Sequence, residues 1–204
     1  MRQLYTIMQE SNSFPHMPMH IARLDATSTE SYRSMMLKAY AEAPDAFTAT
    51  TEEREGKPLS WWQQRLDDAK GLSETFGAFI GADLVGAVTL EYAERPKTRH
   101  KGHLIAMYVA PRARKAGVGK ALIQAAIASA KARPEITVLT LTVTEGNESA
   151  LKLYQSMGFA KFGVEPMAVI SDGKYFAKIH MWCALRAGEN VPLLACAERN
   201  RCGI

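Results

Sequence analysis

Between Leu104 and Leu122 the chain runs through a short apolar segment, a proline and two glycines, and then an amphipathic stretch begins. That succession dictates a strand, a tight loop and a helix in immediate order. The apolar run to Val109 reads as a buried strand. Pro111 stops it, because proline has no N–H to give a sheet ladder. From Val118 onward, Val118, Leu122, Ala125 and Ser129 recur at helical spacing, and Ile123, Ile127 and Ala130 widen the apolar face. Lys120, Gln124 and Lys131 fall on the opposite side.

The join between strand and helix carries the chemistry. Arg114-Lys115-Ala116-Gly117-Val118-Gly119-Lys120 places two glycines at a helix start. The first turn of a helix presents unpaired N–H groups and a positive dipole end, which together favour an anion. Glycines without a Cβ let a phosphate oxygen come close to the backbone. The Walker pattern does not fit, since Gly119-Lys120 is followed by Ala121, and the dinucleotide fingerprint fails at Leu122, where it needs a third glycine. From these residues alone, a pyrophosphate cradle and a glycine-bearing helix start packed against a strand are about equally supported.

The pattern Val109-x-Pro111-x-x-Arg114-x-x-Gly117-x-Gly119-x-x-Leu122 resembles the acyl-CoA-binding motif of the GNAT family, the GCN5-related N-acetyltransferases. A second block, Asn147-x-x-Ala150-x-x-x-Tyr154-x-x-x-Gly158-Phe159, resembles that family's other recognisable segment. The resemblance covers roughly Ile21 to Arg186. It implies an α/β fold with a mixed, twisted sheet of about six to seven strands and helices on both faces. It also implies acetyl-CoA as co-substrate and no metal. The backbone of Met107, Tyr108 and Val109 would lie along the pantetheine arm. Arg114, Lys115, Ala116, Gly117, Val118, Gly119 and Lys120 would hold the pyrophosphate. Asn147, Ala150 and Tyr154 would face the arm from a later helix.

A chain of 204 residues suits one domain. Residues 1–18 read as a leader, 19–186 as the domain and 187–204 as a tail. No apolar run approaches the ~18 residues of a membrane span, and the polar start lacks a signal-peptide core. Cytoplasmic residence is the expectation. Cys183, Cys196 and Cys202 have no zinc spacing, and an odd count completes no disulfide framework. A net charge of +4 suits a polyanion such as CoA and is too mild to argue for nucleic acid. Paired subunits are common in the family, and nothing in the sequence establishes a homodimer.

In chain order the pattern predicts a strand at His20–Leu24, a helix at Thr29–Ala43, a loop at Asp45–Lys57 and a helix at Leu59–Lys70. A hairpin comes next at Phe76–Ile80 and Leu84–Tyr92, then a basic loop, the strand ending at Val109 and the long helix to Pro134. Ile136–Val143, Asn147–Met157, Phe159–Val164 and Tyr175–Leu185 complete a strand, a helix and two strands. In the family the early helices flank the acceptor. Glu52, Glu53, Glu55, Asp67 and Asp68 would suit a cationic amine there, and a solvated acidic face is the stronger reading. Trp61 and Trp62 would line a pocket or pack between helices.

Acetyl transfer to an amine needs the thioester held, the amine neutral, the developing oxyanion stabilised and the leaving thiolate protonated. A phenol titrating near ~10 stays protonated at neutral pH beside a thiol near ~8.5, which makes Tyr154 the candidate proton donor. Asn147 can cap its helix and bond a pantetheine amide. A backbone amide at Met107 or Val109 would polarise the carbonyl. His103 stands where some branches of the family carry a base, and strand alternation predicts His103, Ile105 and Met107 on one face. Glu91 and Tyr92 are rivals, and many members are thought to rely on water. The expected acceptor is a small-molecule primary amine. The alternatives are a protein or peptide amine, or acyl-CoA binding without turnover.

Overall fold

The computed structural model describes residues 18–186, so the leader and tail readings lie outside the described residues, Pro18 apart. Seven strands form one mixed sheet: β1 (Met19–Arg23), β2 (Ser73–Ile80), β3 (Asp83–Tyr92), β4 (Lys101–Val109), β5 (Val138–Thr144), β6 (Ala160–Ser171) and β7 (Lys174–Ala184). Their order is β1-β2-β3-β4-β5-β7-β6. Only β4 and β5 run parallel; the other pairs are antiparallel. Among the described residues five α-helices complete the fold, α1 (Thr29–Glu42), α2 (Thr51–Glu55), α3 (Leu59–Leu66), α4 (Val118–Ala132) and α5 (Glu148–Ser156), with short 3-10 turns at Ala26–Ser28, Pro44–Ala46 and Pro111–Ala113. The mixed sheet and the helices on both faces agree with the expected architecture.

Two apolar cores sandwich the sheet. On one face Leu122, Ile123, Ala126, Ile127 and Ala130 of α4 meet Val88 and Leu90 of β3, Leu104 of β4, and Tyr154 and Met157 at α5. On the other, Tyr32, Met36 and Ala39 of α1 and Trp62 and Leu66 of α3 pack with Ala87 and Tyr108. β3 lies between the cores and is buried from Val85 to Leu90, which explains an apolar run interrupted there by Thr89, whose hydroxyl is bonded to that of Thr75 at 2.8 Å.

One predicted loop is partly helical. Thr51–Glu55 forms α2, with a reciprocal box in which Thr50 Oγ1 accepts from the Glu53 N–H and Glu53 accepts from the Thr50 N–H. That signature was present as Thr50-x-x-Glu53.

The feature that positions the site is a bulge in β4. Thr89 pairs with Ile105 and Ala87 with Tyr108, so Ala106 and Met107 stand opposite the single residue Val88. Ala106 takes a φ of 51°, left-handed backbone that costs a residue with a Cβ about 1–2 kcal/mol. The extra residue reverses the facing of the strand beyond it. Leu104 and Met107 both pack on the α4 side, and Ala106 and Tyr108 both pack on the α1 side. The expectation that His103 and Met107 share a face is therefore corrected: an alternation count holds only while the register is unbroken.

β4 and β5 pair only from Lys101 to Leu104 and from Val138 to Leu141. Beyond Leu141, β5 continues to pair with β7, Thr142 with His180 and Thr144 with Lys178. The two parallel strands therefore part company halfway along, and the facing edges are left without a ladder.

Gly86 guards this region, because a Cβ there would lie 2.9 Å from the Tyr108 carbonyl oxygen and 3.2 Å from Leu122 Cδ1. A backbone atom cannot swing aside as a side-chain end can. Gly86→Ala is expected to destabilise the protein by about 1–3 kcal/mol, read as a lowered denaturant midpoint. Gly163→Ala, whose Cβ would meet only His180 Cβ at 4.0 Å, is expected to change stability by less than about 0.5 kcal/mol.

Candidate active site

The gap between β4 and β5 opens into a cavity of about 280 Å³. Leu104 to Met107 form one edge and Thr142 to Thr144 the other, and α5 contributes Asn147, Ala150 and Tyr154. The far wall comes from elements remote in sequence: Tyr40 of α1, Phe47 to Ala49, Arg54 of α2, Arg65 of α3 and Lys178 of β7.

On the α5 side, the Asn147 side chain caps the helix, its Oδ1 accepting the Ala150 N–H at 3.1 Å. That leaves its amide NH₂ available for a ligand. The Tyr154 ring is held edge-on by Phe159, centroids 5.8 Å apart. Its hydroxyl has no hydrogen-bond partner among the described residues, although the residue lines the cavity. Burial pushes its pKa above the ordinary tyrosine value, so it is protonated at neutral pH.

The loop before α4 has the geometry of an anion seat. Lys115 and Gly117 have φ of 64° and 80°, turning successive peptide units toward the helix start. Gly117 is the N-cap and offers no side-chain acceptor, so the first N–H groups of α4 have no cap bond. Nothing lies within 4 Å of where a Gly117 Cβ would be. Gly119 serves differently: its Cβ would lie 2.9 Å from Leu153 Cδ2 and 3.4 Å from Met107 Cε. Its bareness lets α5 and the bulged strand close against the start of α4. The Arg114 Nε–H donates to the Val109 carbonyl at 3.0 Å and ties the loop to β4. Lys115, Ala116 and Lys120 are exposed there, and Val118 is buried beneath them.

These features fit a CoA molecule. The uncapped α4 start suits its pyrophosphate, and the parted edge of β4 suits the amides of its arm. The cavity beyond has room for a thioester.

Other expected residues lie elsewhere. The Tyr108 side chain points to the α1 side, donating to Glu42 Oε2 at 2.6 Å, and lines a separate cavity of about 480 Å³. Burial and the Glu42 carboxylate push its pKa up to about 12. Val109 lines neither cavity, although its methyl lies 3.8 Å from a Gly119 Cβ position. His103 lines neither; its Nδ1 is bonded to Thr140 Oγ1 at 2.8 Å across the paired part of β4 and β5. Glu91 and Tyr92 are also outside the first cavity.

The far wall went unread in the sequence. Trp62 is core, 1% exposed. Trp61 does not line the cavity and instead backs Arg54 and Arg65, each guanidinium carbon 4.8 Å from a ring centroid of its indole. Glu52, Glu53, Glu55, Asp67 and Asp68 all lie outside the cavity. The Arg65 contact had a local signal, since Trp61 and Arg65 are a helical i, i+4 pair. Lys178 had none. Among the described residues no three His, Cys, Asp or Glu side chains cluster to hold a metal, and no helix is long and apolar enough to cross a membrane.

The family described as Acetyltransferase (GNAT) matches residues 34–159. An L-amino acid N-acetyltransferase, AaaT of Escherichia coli K12, is 29% identical over 120 residues, which is 59% of this chain and 73% of that protein. Human N-alpha-acetyltransferase 30 is 32% identical over 130 residues, 63% of this chain, but this chain spans only 35% of that protein. The acetyltransferase yncA from Salmonella typhimurium, solved with its cofactor acetyl-CoA, superposes with a TM-score of 0.70 at 18% identity, covering 86% of this chain and 98% of that one. That last likeness is one of fold.

The His103 environment makes a checkable statement about stability. Burial lowers its pKa, and neighbouring His180 adds to that while Glu91 opposes it. The unfolded chain therefore takes up a proton at higher pH than the folded one, and stability falls as pH drops below about 6.5. Between about pH 7.5 and pH 5.5, urea unfolding should show a smaller loss for His103→Gln than for the wild type. An equal loss in both proteins would contradict the assignment.

Proposed function

The chain belongs to the GNAT acetyltransferase family, and from that premise we propose that it carries the acetyl group of acetyl-CoA to the primary amine of a small molecule, with both substrates bound at once. One observation carries this reading. The α5 face bearing Asn147, Ala150 and Tyr154 and the wall bearing Tyr40, Arg54 and Arg65 border the same cavity. Donor and acceptor brought to those two sides meet without a covalent relay. Among the described residues no cysteine or serine lines that cavity.

Acetyl-CoA supplies the activated acetyl group; the rest is the protein's work. The N–H groups of Val118, Gly119 and Lys120 would receive the pyrophosphate, with Arg114, Lys115 and the Ala116–Gly117 turn shaping the seat. The free edge of β4 at Met107, Tyr108 and Val109 would pair with the amides of the arm. Asn147 would donate its side-chain amide, and small Ala150 would leave room for the arm to pass. An N–H of Met107 or Val109 on that same edge would receive the charge developing on the carbonyl oxygen.

Tyr154 would act at the departing sulfur. Outright transfer from a phenol above ~10 to a thiolate whose acid titrates near ~8.5 is uphill by about 2 kcal/mol or more. The hydroxyl therefore serves best as a hydrogen-bond donor to the forming thiolate. A bond to a charged partner is worth about 1.5–3 kcal/mol. Among the described residues that line the cavity there is neither a carboxylate nor an imidazole, which favours loss of the ammonium proton to water.

A small acceptor is supported by the modest cavity volume of about 280 Å³ and by the E. coli relative named for L-amino acids. The human relative named for N-alpha acetylation supports the peptide alternative. Cytoplasmic residence fits a soluble acetyl-CoA supply.

The test is thiol release from acetyl-CoA with amino acids, polyamines, aminoglycosides and short peptides. Tyr154→Phe keeps the ring against Phe159 and is expected to lower kcat about 10- to 100-fold with little change in the KM for acetyl-CoA. Full activity in that variant would remove Tyr154 from the mechanism. Binding of CoA with no release for any amine would favour a protein that binds acyl-CoA without turnover.

A further inference from the structure

We infer that the acceptor amine also carries a carboxylate, and that Arg54, Arg65 and Lys178 form the subsite that receives it. The inference rests on the transferase reading and adds the substrate's charge to it.

Among the described residues, the far wall of the cavity carries three cationic side chains and no Asp or Glu. None of the three has a carboxylate within salt-bridge distance among the described residues. Elsewhere Lys70, Arg112 and Arg133 pair with Glu94, Asp83 and Glu74. Several acids near the cavity are committed to other partners, although the charge of Glu165 also acts on Lys178, its cross-strand neighbour. Glu53 caps α2, Asp68 accepts the N–H groups of Lys70 and Leu72, and Glu165 bonds His180.

The cations are held by groups that leave most of their donors free, the Tyr40 hydroxyl lying in hydrogen-bonding reach of Arg54. Both guanidinium groups rest near the Trp61 indole, and that of Arg54 also lies 5.7 Å from the Tyr40 ring centroid. An aromatic surface fixes a guanidinium without occupying its N–H groups. The Arg54 Nε is buried and has no hydrogen-bond partner among the described residues. Lys178 is 9% exposed and donates to Thr144 Oγ1 at 2.8 Å, which uses one of its three protons. Unpaired donors of one sign around a cavity call for a ligand of the other sign. Planar forks match a carboxylate in particular.

The same wall explains how an amine is tolerated. Three positive charges repel an ammonium and so favour the neutral, nucleophilic form. A plain cationic amine would be repelled along with its proton. An amine that brings a carboxylate is held by that group while its nitrogen is deprotonated.

The experiment compares kcat/KM in the thiol-release assay for the proteinogenic L-amino acids, their primary carboxamides and spermidine. The amides keep the side chain and lose the negative charge. Their less basic amine, neutral to a greater extent at about pH 7, works against the expected lead, so the comparison uses kcat/KM corrected to the neutral amine. The amino acids are expected to lead their amides by about 10- to 100-fold. Arg54→Gln and Arg65→Gln should each erase most of that lead through the acceptor KM, with the KM for acetyl-CoA unchanged. Lys178→Met should do the same. Continued turnover of the amides would show that the variants fold.

Equal or better turnover of the amides or spermidine by the wild type overturns the subsite and leaves the transferase reading intact. A rise in the KM for acetyl-CoA in the arginine variants also overturns it, by assigning those cations to the donor. Absence of release with every amine, from protein whose Tm acetyl-CoA raises, overturns the transferase reading and the subsite with it.

Discussion

The architecture of the site depends on β4 and β5 parting company after Leu104 and Leu141. Parallel neighbours normally satisfy each other's N–H and C=O groups along their whole length. Here β5 keeps its ladder to β7 while β4, bulged at Ala106, keeps its ladder to β3. Each strand has a partner on its outer side, so the gap opens without loosening the sheet. The cost is one left-handed alanine and two half-unpaired edges. It is offset by packing on both faces, with Met107 driven into the α4 core and Tyr108 anchored to Glu42 on the other side. A strand clamped at alternate residues to opposite cores cannot slide back into register.

Much of this was legible because it is local. The strand–proline–glycine succession from Leu104 to Leu122 and the Asn147–Phe159 block each dictate their own backbone, and both folded as read. The bulge was not legible. Alternation along β4 predicted one face for His103 and Met107, but a bulge is a mismatch in count between two strands, and no residue within β4 announces it. Ala106 is an unfavourable residue for its φ of 51°, and a reader of propensity would place glycine there. Tertiary packing overrode local preference.

The far wall of the cavity failed to appear in the sequence for a different reason. Arg54, Arg65 and Lys178 come from three elements, and the chain between Arg65 and Lys178 includes most of the sheet. Beside them in sequence stand Glu52, Glu53, Glu55, Asp67 and Asp68, so a window of composition reports an acidic region. The fold sorts the signs. The caps and turns of short helices use carboxylates, because exposed N–H groups need acceptors there. Long guanidinium side chains reach inward past Trp61. Composition averaged along the chain and charge averaged around a cavity are different quantities, and here they have opposite sign.

That opposition also accounts for the missing base. A carboxylate or imidazole lining the cavity would pull a proton from the acceptor, but a carboxylate would also attract and stabilise the ammonium ground state. A cationic wall acts from the other direction, by making the protonated amine the less favoured form. It needs no titrating group at the attack point, and it lets water carry the proton away. The protein's two functional polarities are then separate in space. In the proposed arrangement Tyr154, made a reluctant acid by burial, would face the sulfur, and the cations that line the same cavity would face the acceptor. On the proposed reading, binding the acceptor and activating its nitrogen become one electrostatic act, and a site with no candidate base among its described lining side chains can still present a neutral nucleophile.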